Sequence, residues 1–271
     1  MRKINEKNVR LKRFLLAAML LGLGSGLFAD GSQAAADNAV KPVLTPESRS
    51  IQAGGKKLTV RADGSMGITT GGQKLADITV AISTTGTRIP FRDRPKLTQK
   101  PTVKYDAEKK EFVCDVPFLL DGQGKYAVNT RRISLTDEGL VNVKVSFTFP
   151  QGGEDDLKIQ RALIYLPAPN YLGKAVRVRA TSKNGRPDNR DLTLKKEKGF
   201  AIIAKKYVVD YNAETPAFNI RFLGDNGYYL SQYRAHGDKI QIEIKASDKK
   251  ALTYEYNIDL RSAPGKDGQE K

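Results

Sequence analysis

Residues 126–149 constrain the fold of this chain most strongly, because apolar and polar side chains alternate through their second half. The apolar positions are Val141, Val143, Val145, Phe147 and Phe149, and polar residues stand between them. A period of two places the apolar side chains on one face of a β-strand. A turn sequence at 136–139, ending in Gly139, separates this strand from an earlier extended run. The segment therefore predicts a β-hairpin with one face in a core.

The same alternation and the same kind of turn recur along the chain. Hairpins are predicted where 58–61 meets 66–69, where 102–105 meets 111–119, and where a last alternating pair, 239–246 and 252–260, flanks a short loop. Further strands are predicted at 75–83, 157–166, 175–181, 192–195, 200–211, 218–222 and 228–233. After residue 36 no helical stripe of useful length interrupts them. Many short strands with frequent turns predict an all-β fold, an antiparallel β-sandwich, with a barrel as the alternative.

The domain organisation follows from the position of these strands. Residues 37–50 lack periodicity and are expected to be a flexible segment, and 263–271 form a polar tail. Residues 51–262 are expected to form a single domain, because no strong linker divides them. A boundary within the polar loop predicted at 182–190 is the alternative, and 84–101 is predicted to be a basic, proline-rich loop.

The first 36 residues have the pattern of a secretory signal peptide. A basic start precedes an apolar stretch at 14–28, and Ala34-Ala35-Ala36 offers the small residues that a signal peptidase reads. Cleavage after Ala29 is the alternative site. The apolar stretch is short for a membrane span, which needs about 20 residues, and no later segment is long and apolar enough to span a bilayer. The protein is therefore expected to be exported, to a periplasm or outside the cell.

Charge and cysteine content narrow the possible partners. The formal charge is +16, and a chain without residues 1–36 still carries +12. For an exported protein this basicity favours acidic polysaccharide, lipopolysaccharide or phospholipid headgroups over nucleic acid, although solubility alone also explains it. The single cysteine, Cys114, lies in phase with Phe112 and Val116, which predicts a small buried side chain and no internal disulfide.

Part of the chain has a family resemblance. The run ISLTDEGL at 133–140, a strand that leads to Pro150, and the later Leu166-Pro167 resemble the large β-sandwich ("supersandwich") domains of bacterial carbohydrate-active enzymes. The resemblance covers the middle of the chain and rests on strand rhythm and turn chemistry. It implies a secreted module that meets glycans as a binding or accessory element. No catalytic residue is carried over, because no catalytic motif matches.

Catalytic chemistry has weak support in the residues. Paired carboxylates for glycoside hydrolysis occur only in turn sequences, at 137–138 and 154–156. A lyase would need a tyrosine or histidine base and a cation, which 227–237 contains, but His236 is the only histidine. Zinc, EF-hand, phosphate-loop and nucleophile-elbow motifs are missing from the sequence, and no cofactor is expected.

Ligand-binding candidates fall in two segments. The cations Arg177, Arg179 and Lys183 share one strand phase and suit carboxylate or sulfate groups. The second segment carries Tyr228, Tyr229, Tyr233, Arg234 and His236, in which Tyr229 and Tyr233 share one phase and the other three share the opposite phase.

The sequence thus favours a non-catalytic, exported β-sandwich that binds a polyanionic glycan or an envelope component. Two alternatives stay open: a glycoside hydrolase or polysaccharide lyase on the same fold, and a structural or assembly protein of the cell envelope. Ligand identity and oligomeric state are not predicted.

Overall fold

The fold was examined in a computed structural model. The structure describes residues 41–84, 100–120, 125–182, 184–196, 201–204, 206–214, 217–224, 228–246 and 252–261. Within these ranges, the side chains of 81–84, 156–161, 201–236 and 245–246 are not described. The predicted signal peptide, most of the predicted loop at 84–101 and the polar tail lie outside the described residues. No helix in the described part of the chain is long and apolar enough to cross a membrane.

The described residues form eighteen strands, one short helix and one 3-10 turn. The strands are β1 (Val43–Thr45), β2 (Ser50–Ala53), β3 (Lys56–Val60), β4 (Met66–Thr70), β5 (Gln73–Thr84), β6 (Thr102–Asp106), β7 (Glu111–Leu119), β8 (Tyr126–Leu135), β9 (Val141–Thr148), β10 (Leu157–Pro167), β11 (Ala175–Thr181), β12 (Pro187–Thr193), β13 (Ala201–Ala204), β14 (Lys206–Glu214), β15 (Ala217–Gly224), β16 (Tyr228–His236), β17 (Lys239–Ala246) and β18 (Thr253–Asp259). The 3-10 turn, Glu154–Asp156, precedes β10, and helix α1, Ala168–Tyr171, follows it.

The strands form two nine-stranded sheets, and the pairings between described strands are antiparallel. Sheet A has the order β1-β2-β3-β4-β5-β10-β17-β16-β13, and sheet B has the order β12-β11-β14-β15-β18-β9-β8-β7-β6. One hydrophobic cluster joins them: Ile51, Leu58 and Ile242 come from sheet A, and Phe112 and Val143 come from sheet B. The all-β fold is therefore confirmed, and the shared core makes it sandwich-like.

The central hairpin is confirmed in sheet B. Strands β8 and β9 pair antiparallel from Val128 opposite Thr148 to Leu135 opposite Val141. On β9 the alternate valines are buried, with Val143 and Val145 fully inaccessible to solvent. Gly139 closes the turn with φ of 75°, a left-handed conformation that glycine adopts at little cost.

Other local predictions also hold. Strands β3 and β4 pair around residues 61–65, and β6 pairs with β7. Cys114 is fully buried among core side chains, as predicted. On β11, Val176 and Val178 are fully buried, while Arg177 and Arg179 at the alternate positions are exposed. In these segments the period-two pattern and the turn residues carry enough information to place each side chain.

The predicted last hairpin is wrong. Strand β17 lies in sheet A between β10 and β16, whereas β18 lies in sheet B between β15 and β9. Both strands turn an apolar face to the same core, Ile242 from one side and Tyr256 from the other. Alternation shows which face is buried but not which strand lies alongside, so two strands adjacent in sequence can face each other across the core.

Two further boundaries differ from the sequence prediction. Residues 182–190 were expected to be a polar loop, but 187–190 begin β12, the edge strand of sheet B. Its residues are exposed or only half-buried, so the strand lacks the apolar alternation that would reveal it. Residues 200–211 were expected to form one strand, but they supply β13 to sheet A and the first part of β14 to sheet B. The apolar run has no glycine or proline to mark the change of sheet.

The N-terminal part of the described chain contains a strand that the sequence did not predict. Strand β1 pairs with β2 from Val43 opposite Gln52 to Thr45 opposite Ser50, within the segment expected to be flexible. The predicted domain limits at 51 and 262 stay predictions.

Candidate ligand-binding surface

Arg177 and Arg179 lie on the outer face of sheet B, where the sequence placed them. They occupy alternate positions of β11, the second strand of the sheet, and point away from Val176 and Val178 in the core. Their side chains are 53% and 43% exposed. Two guanidinium groups on one strand face are therefore exposed to solvent.

One carboxylate lies between these two arginines. The Arg177 Nε atom is 3.3 Å from Asp191 Oδ1, and Arg179 Nη1 is 3.7 Å from the same oxygen. Asp191 belongs to the edge strand β12 and is itself 61% exposed. Because these side chains are in solvent, each ion pair contributes little to stability. The group of three carries a local charge of +1.

The strand register separates the roles of the two arginines. Arg177 stands between Asp191 on β12 and Asp210 on β14. Opposite charges at directly paired positions of neighbouring strands stabilise a sheet. The charge of Arg177 is thus compensated at its own register position by Asp191.

Arg179 has no such compensation at its neighbouring register positions. It stands between Asn189 on β12 and Val208 on β14. Of the two arginines, Arg179 is therefore the one whose charge is less satisfied by the sheet and more open to an external anion.

A third arginine, on the opposite face of β12, is already bonded to an acid. Arg190 on β12 donates to both carboxylate oxygens of Asp188, from Nε at 2.7 Å and from Nη2 at 2.8 Å. The hydrogen bond from Arg190 lowers the pKa of Asp188, and the same bond raises the pKa of Arg190. This bidentate pair leaves Arg190 less suited to a second anion.

The remaining predicted site residues do not join the arginine pair. Lys183 lies outside the described residues. Tyr228, Tyr229, Tyr233, Arg234 and His236 belong to β16, which is a strand of sheet A. Because the arginines occupy the outer face of sheet B, the structure does not bring the two predicted segments together on one face.

The register of β16 is irregular. It pairs Gln232 with Ile242 but Ala235 with Ile240, so one extra residue lies between them. The shared phase expected for Tyr228, Arg234 and His236 stays a prediction, because the structure does not describe the side chains of this strand.

The carboxylates considered for glycoside hydrolysis occupy exposed turns. Asp137 and Glu138 are exposed between β8 and β9, and Glu154 and Asp155 are exposed before β10. Within the described ranges, no group of three or more histidine, cysteine, aspartate or glutamate side chains could hold a metal ion. In the described part of the chain, these acids are therefore exposed turn residues.

Among the described residues, Arg131 is a buried charged side chain that the sequence pattern did not bring to notice. Arg131 is 3% exposed and lies on the core face of β8. Its Nε atom donates to Asn129 Oδ1 at 2.8 Å, and its Nη1 atom donates to the carbonyl oxygen of Gly64. Counting back in twos from Ile133 would have placed both Arg131 and Asn129 inside the core.

Arg131 belongs to a hydrogen-bonded group that reaches the opposite sheet. Gly64 lies in the turn between β3 and β4, where Asp63 accepts bonds from the amide and hydroxyl groups of Ser65 at 2.9 and 2.6 Å. Burial alone would raise the pKa of Asp63, but the Ser65 bonds and the charges of Arg131 and Arg61 outweigh it and lower the pKa. Burial lowers the pKa of Arg131 and raises that of nearby Cys114 to about 11. Through Arg131 and the Gly64 turn, hydrogen bonds and charge interactions therefore connect sheet B with sheet A.

Comparison with protein-family models and with curated proteins finds no match to this sequence. The resemblance to supersandwich domains therefore stays a prediction from strand rhythm and turn residues.

Proposed function

We propose that this protein is an exported, non-catalytic recognition module that binds an acidic glycan on the outer face of sheet B. The observation that carries the proposal is the exposed Arg177–Arg179 pair with one shared carboxylate, Asp191. A guanidinium group presents five N–H donors in a planar fork, which matches the geometry of a carboxylate or sulfate group. Arg179 is expected to make the stronger contact, since its neighbours in the sheet are uncharged.

Export and charge support the same proposal. The pattern of residues 1–36 is that of a signal peptide, and the remaining chain carries a formal charge of +12. A basic protein outside the cytoplasm meets acidic polysaccharide, lipopolysaccharide and phospholipid headgroups. Long-range attraction would bring such polyanions to the surface, and the arginine pair would then select the carboxylate or sulfate groups.

The β12 edge of sheet B favours recognition by side chains over assembly through strand pairing. Strand β12 begins with Pro187, which lacks a backbone N–H, and carries the charged residues Asp188, Arg190 and Asp191. Proline and charge on an edge strand discourage another strand from pairing with it.

Elution from a heparin resin with a salt gradient tests the proposal. Arg179→Ala is expected to elute at clearly lower salt than wild type, and Arg177→Ala combined with Arg179→Ala at lower salt still. Arg190→Ala is the matched control, since it removes the same charge from an arginine that is already bonded to Asp188. If the control elutes as early as Arg179→Ala, binding depends on net charge alone and the site is refuted.

An activity assay separates recognition from catalysis. Reducing-end and unsaturated-product assays over a panel of acidic glycans are expected to show no turnover. Turnover that disappears in Tyr229→Phe or His236→Ala would replace the proposal with a hydrolase or lyase whose site is on β16.

A further inference from the structure

A second cationic cluster occupies the outer face of sheet A, on the three adjacent strands β3, β4 and β5. Gly67 of β4 is at its centre, with Thr59 and Asp77 as register neighbours. Thr69, two residues further along β4, stands between Lys57 on one side and Lys74 on the other. Arg61 follows β3 and is exposed. Three cations therefore surround one acid and one glycine.

A β-bulge brings two of these side chains to the same face. Ile68 pairs with Ala76, but Thr69 pairs with Lys74, so β5 contains one extra residue, Leu75, at this point. Without the bulge, residues 74 and 77 would point to opposite faces of the sheet. With it, the Lys74 ammonium group forms an ion pair with Asp77 on the outer face. Bulges often re-aim a side chain beside a functional site.

Gly67 makes room for the guanidinium group of Arg61. A Cβ atom at position 67 would overlap Arg61 Nη2 and would lie 3.0 Å from Arg61 Cζ. The guanidinium group thus lies against the backbone of β4 with Nη2 nearest, in the space that a Cβ atom would fill. The backbone φ of Gly67 is not in the left-handed region, so the glycine contributes space here and not a special conformation.

Two hydrogen bonds fix the orientation of Arg61. Its Nη2 atom is 2.5 Å from Asp77 Oδ1, and its Nη1 atom is 3.2 Å from Ser65 Oγ. Ser65 is held in turn by Asp63, and the adjacent Gly64 is held by Arg131 from the core. The turn that positions this exposed arginine is therefore anchored inside the sandwich. Three of the five N–H groups of the guanidinium remain for another acceptor.

The cluster carries uncompensated positive charge. Asp77 forms ion pairs with both Arg61 and Lys74. Within the described part of the chain, Lys57 takes part in none of the ion pairs. Lys57 and Lys74 are two strands apart, about 10 Å between their backbones, and lysine side chains are long enough to converge over Thr69.

We propose that Arg61, Lys74 and Lys57 form a binding site for a phosphate or sulfate group on the outer face of sheet A. The oriented guanidinium edge supplies directional donors, the two ammonium groups supply charge, and the Thr69 hydroxyl group supplies a further donor. The site is separate from the surface around Arg177 and Arg179. The proposal does not depend on glycan binding at that surface.

Titration of the isotope-labelled protein with inorganic phosphate, followed by amide NMR at constant ionic strength, tests the site. Saturable shifts are expected at the amides of Ser65, Gly67 and Thr69, and sodium chloride at equal ionic strength is expected not to reproduce them. Gly67→Ala is the decisive variant, because it displaces the guanidinium group without changing any charge. Affinity is expected to fall about tenfold, the effect of losing one charge-assisted hydrogen bond.

A second site variant and a control variant complete the test. Lys57→Gln is expected to weaken phosphate binding without disturbing Arg61, whereas Lys144→Gln removes one charge from the outer face of sheet B and is the matched control. Wild-type affinity in both Gly67→Ala and Lys57→Gln would overturn the proposal, as would an equal loss in Lys144→Gln.

Two soluble esters distinguish which class of molecule carries the phosphate or sulfate group. Titrations with glycerol 1-phosphate and with glucose 6-sulfate compare a lipid headgroup with a sulfated sugar. The ester that binds more tightly than inorganic phosphate identifies the natural class, provided that Gly67→Ala weakens its binding as well. Ester binding that Gly67→Ala leaves unchanged contradicts the site.

Discussion

Arg131 on β8 of sheet B donates a hydrogen bond to the carbonyl oxygen of Gly64, in the turn between β3 and β4 of sheet A. This bond crosses the interior of the sandwich and joins residues 67 positions apart in the chain. A buried cation stabilises a fold only when its donors are satisfied. Here Asn129 and Gly64 supply the acceptors, and the carboxylate of Asp63, in the same turn as Gly64, is an opposite charge nearby.

The first prediction concerns Arg131 itself. Arg131→Ala is expected to lower the free energy of unfolding by about 3 kcal/mol, because it leaves a cavity and removes the partners of Asn129 and Gly64. Chemical denaturation measures the change. Arg179→Ala is the matched control: its side chain is 43% exposed on the outer face of sheet B and its partner Asp191 is 61% exposed, so its loss should be below about 1 kcal/mol. Equal losses would contradict the buried position of Arg131.

The second prediction concerns acid stability. The pKa of Asp63 is lowered from its usual 3.8, so the ionised form is favoured in the folded state. Its contribution to stability is present above pH 3.8 and is lost as the pH falls through the lower, folded-state value.

Asp63→Asn should therefore be less stable than wild type at about pH 6, and the difference should shrink below about pH 4. Urea denaturation midpoints across this range measure it. A difference that grows toward acid would show that the pKa of Asp63 is raised, not lowered.

The third prediction concerns Cys114. Burial raises the pKa of its thiol to about 11, and the side chain is fully inaccessible to solvent. A thiol reagent added at about pH 8 is expected not to label the native protein, since the thiolate is the reactive form. Complete labelling should follow denaturation in urea. Rapid labelling without denaturant would show that the core around Cys114 opens readily.

The fourth prediction tests the position of β18 beside β9. Glu255 stands opposite Lys144 in the register and accepts a 2.6 Å hydrogen bond from Asn142. Glu255→Lys places like charges opposite each other and is expected to cost about 1 kcal/mol. Adding Lys144→Glu should recover part of this loss in a thermal-melting experiment. No recovery would indicate that the two residues are not neighbours.

The fifth prediction concerns the shared carboxylate at the proposed glycan surface. Asp191→Asn removes the acid that lies 3.3 and 3.7 Å from the two arginines. Both guanidinium groups then become available, so elution from heparin resin is expected to move to higher salt. Asp188→Asn frees Arg190 and is the control for the gain of one unit of charge. An equal shift in both variants would indicate that net charge alone determines retention.

Much of the local structure was predictable from residue patterns. The alternation from Val141 to Phe147 gives the buried face of β9, and Gly139 gives the turn before it, because both depend only on backbone geometry. The buried position of Arg131 was predictable from its phase with Ile133, which places it in the core. It was not predicted because charged residues are rarely buried.

The candidate sites were predictable only in part. The outward direction of Arg177 and Arg179 follows from the valines beside them. The carboxylate of Asp191 could not be assigned to them, since β12 lacks an apolar pattern and its pairing with β11 is visible only in three dimensions. The bulge at Leu75, which turns Lys74 toward Asp77, appears in the sequence only as two adjacent apolar residues, Leu75 and Ala76, and such a pair does not identify a bulge by itself.

The sequence alone determined most of the segments that are strands, which face of most of them is apolar, and that the chain is basic, because these properties depend on neighbouring residues. The tertiary structure decided that β17 and β18 lie in opposite sheets, that Arg131 reaches Gly64, and that Arg61 rests on Gly67. A period of two leaves the choice of neighbour open, and only packing around a shared core selects one arrangement among strands that are equally apolar on one side.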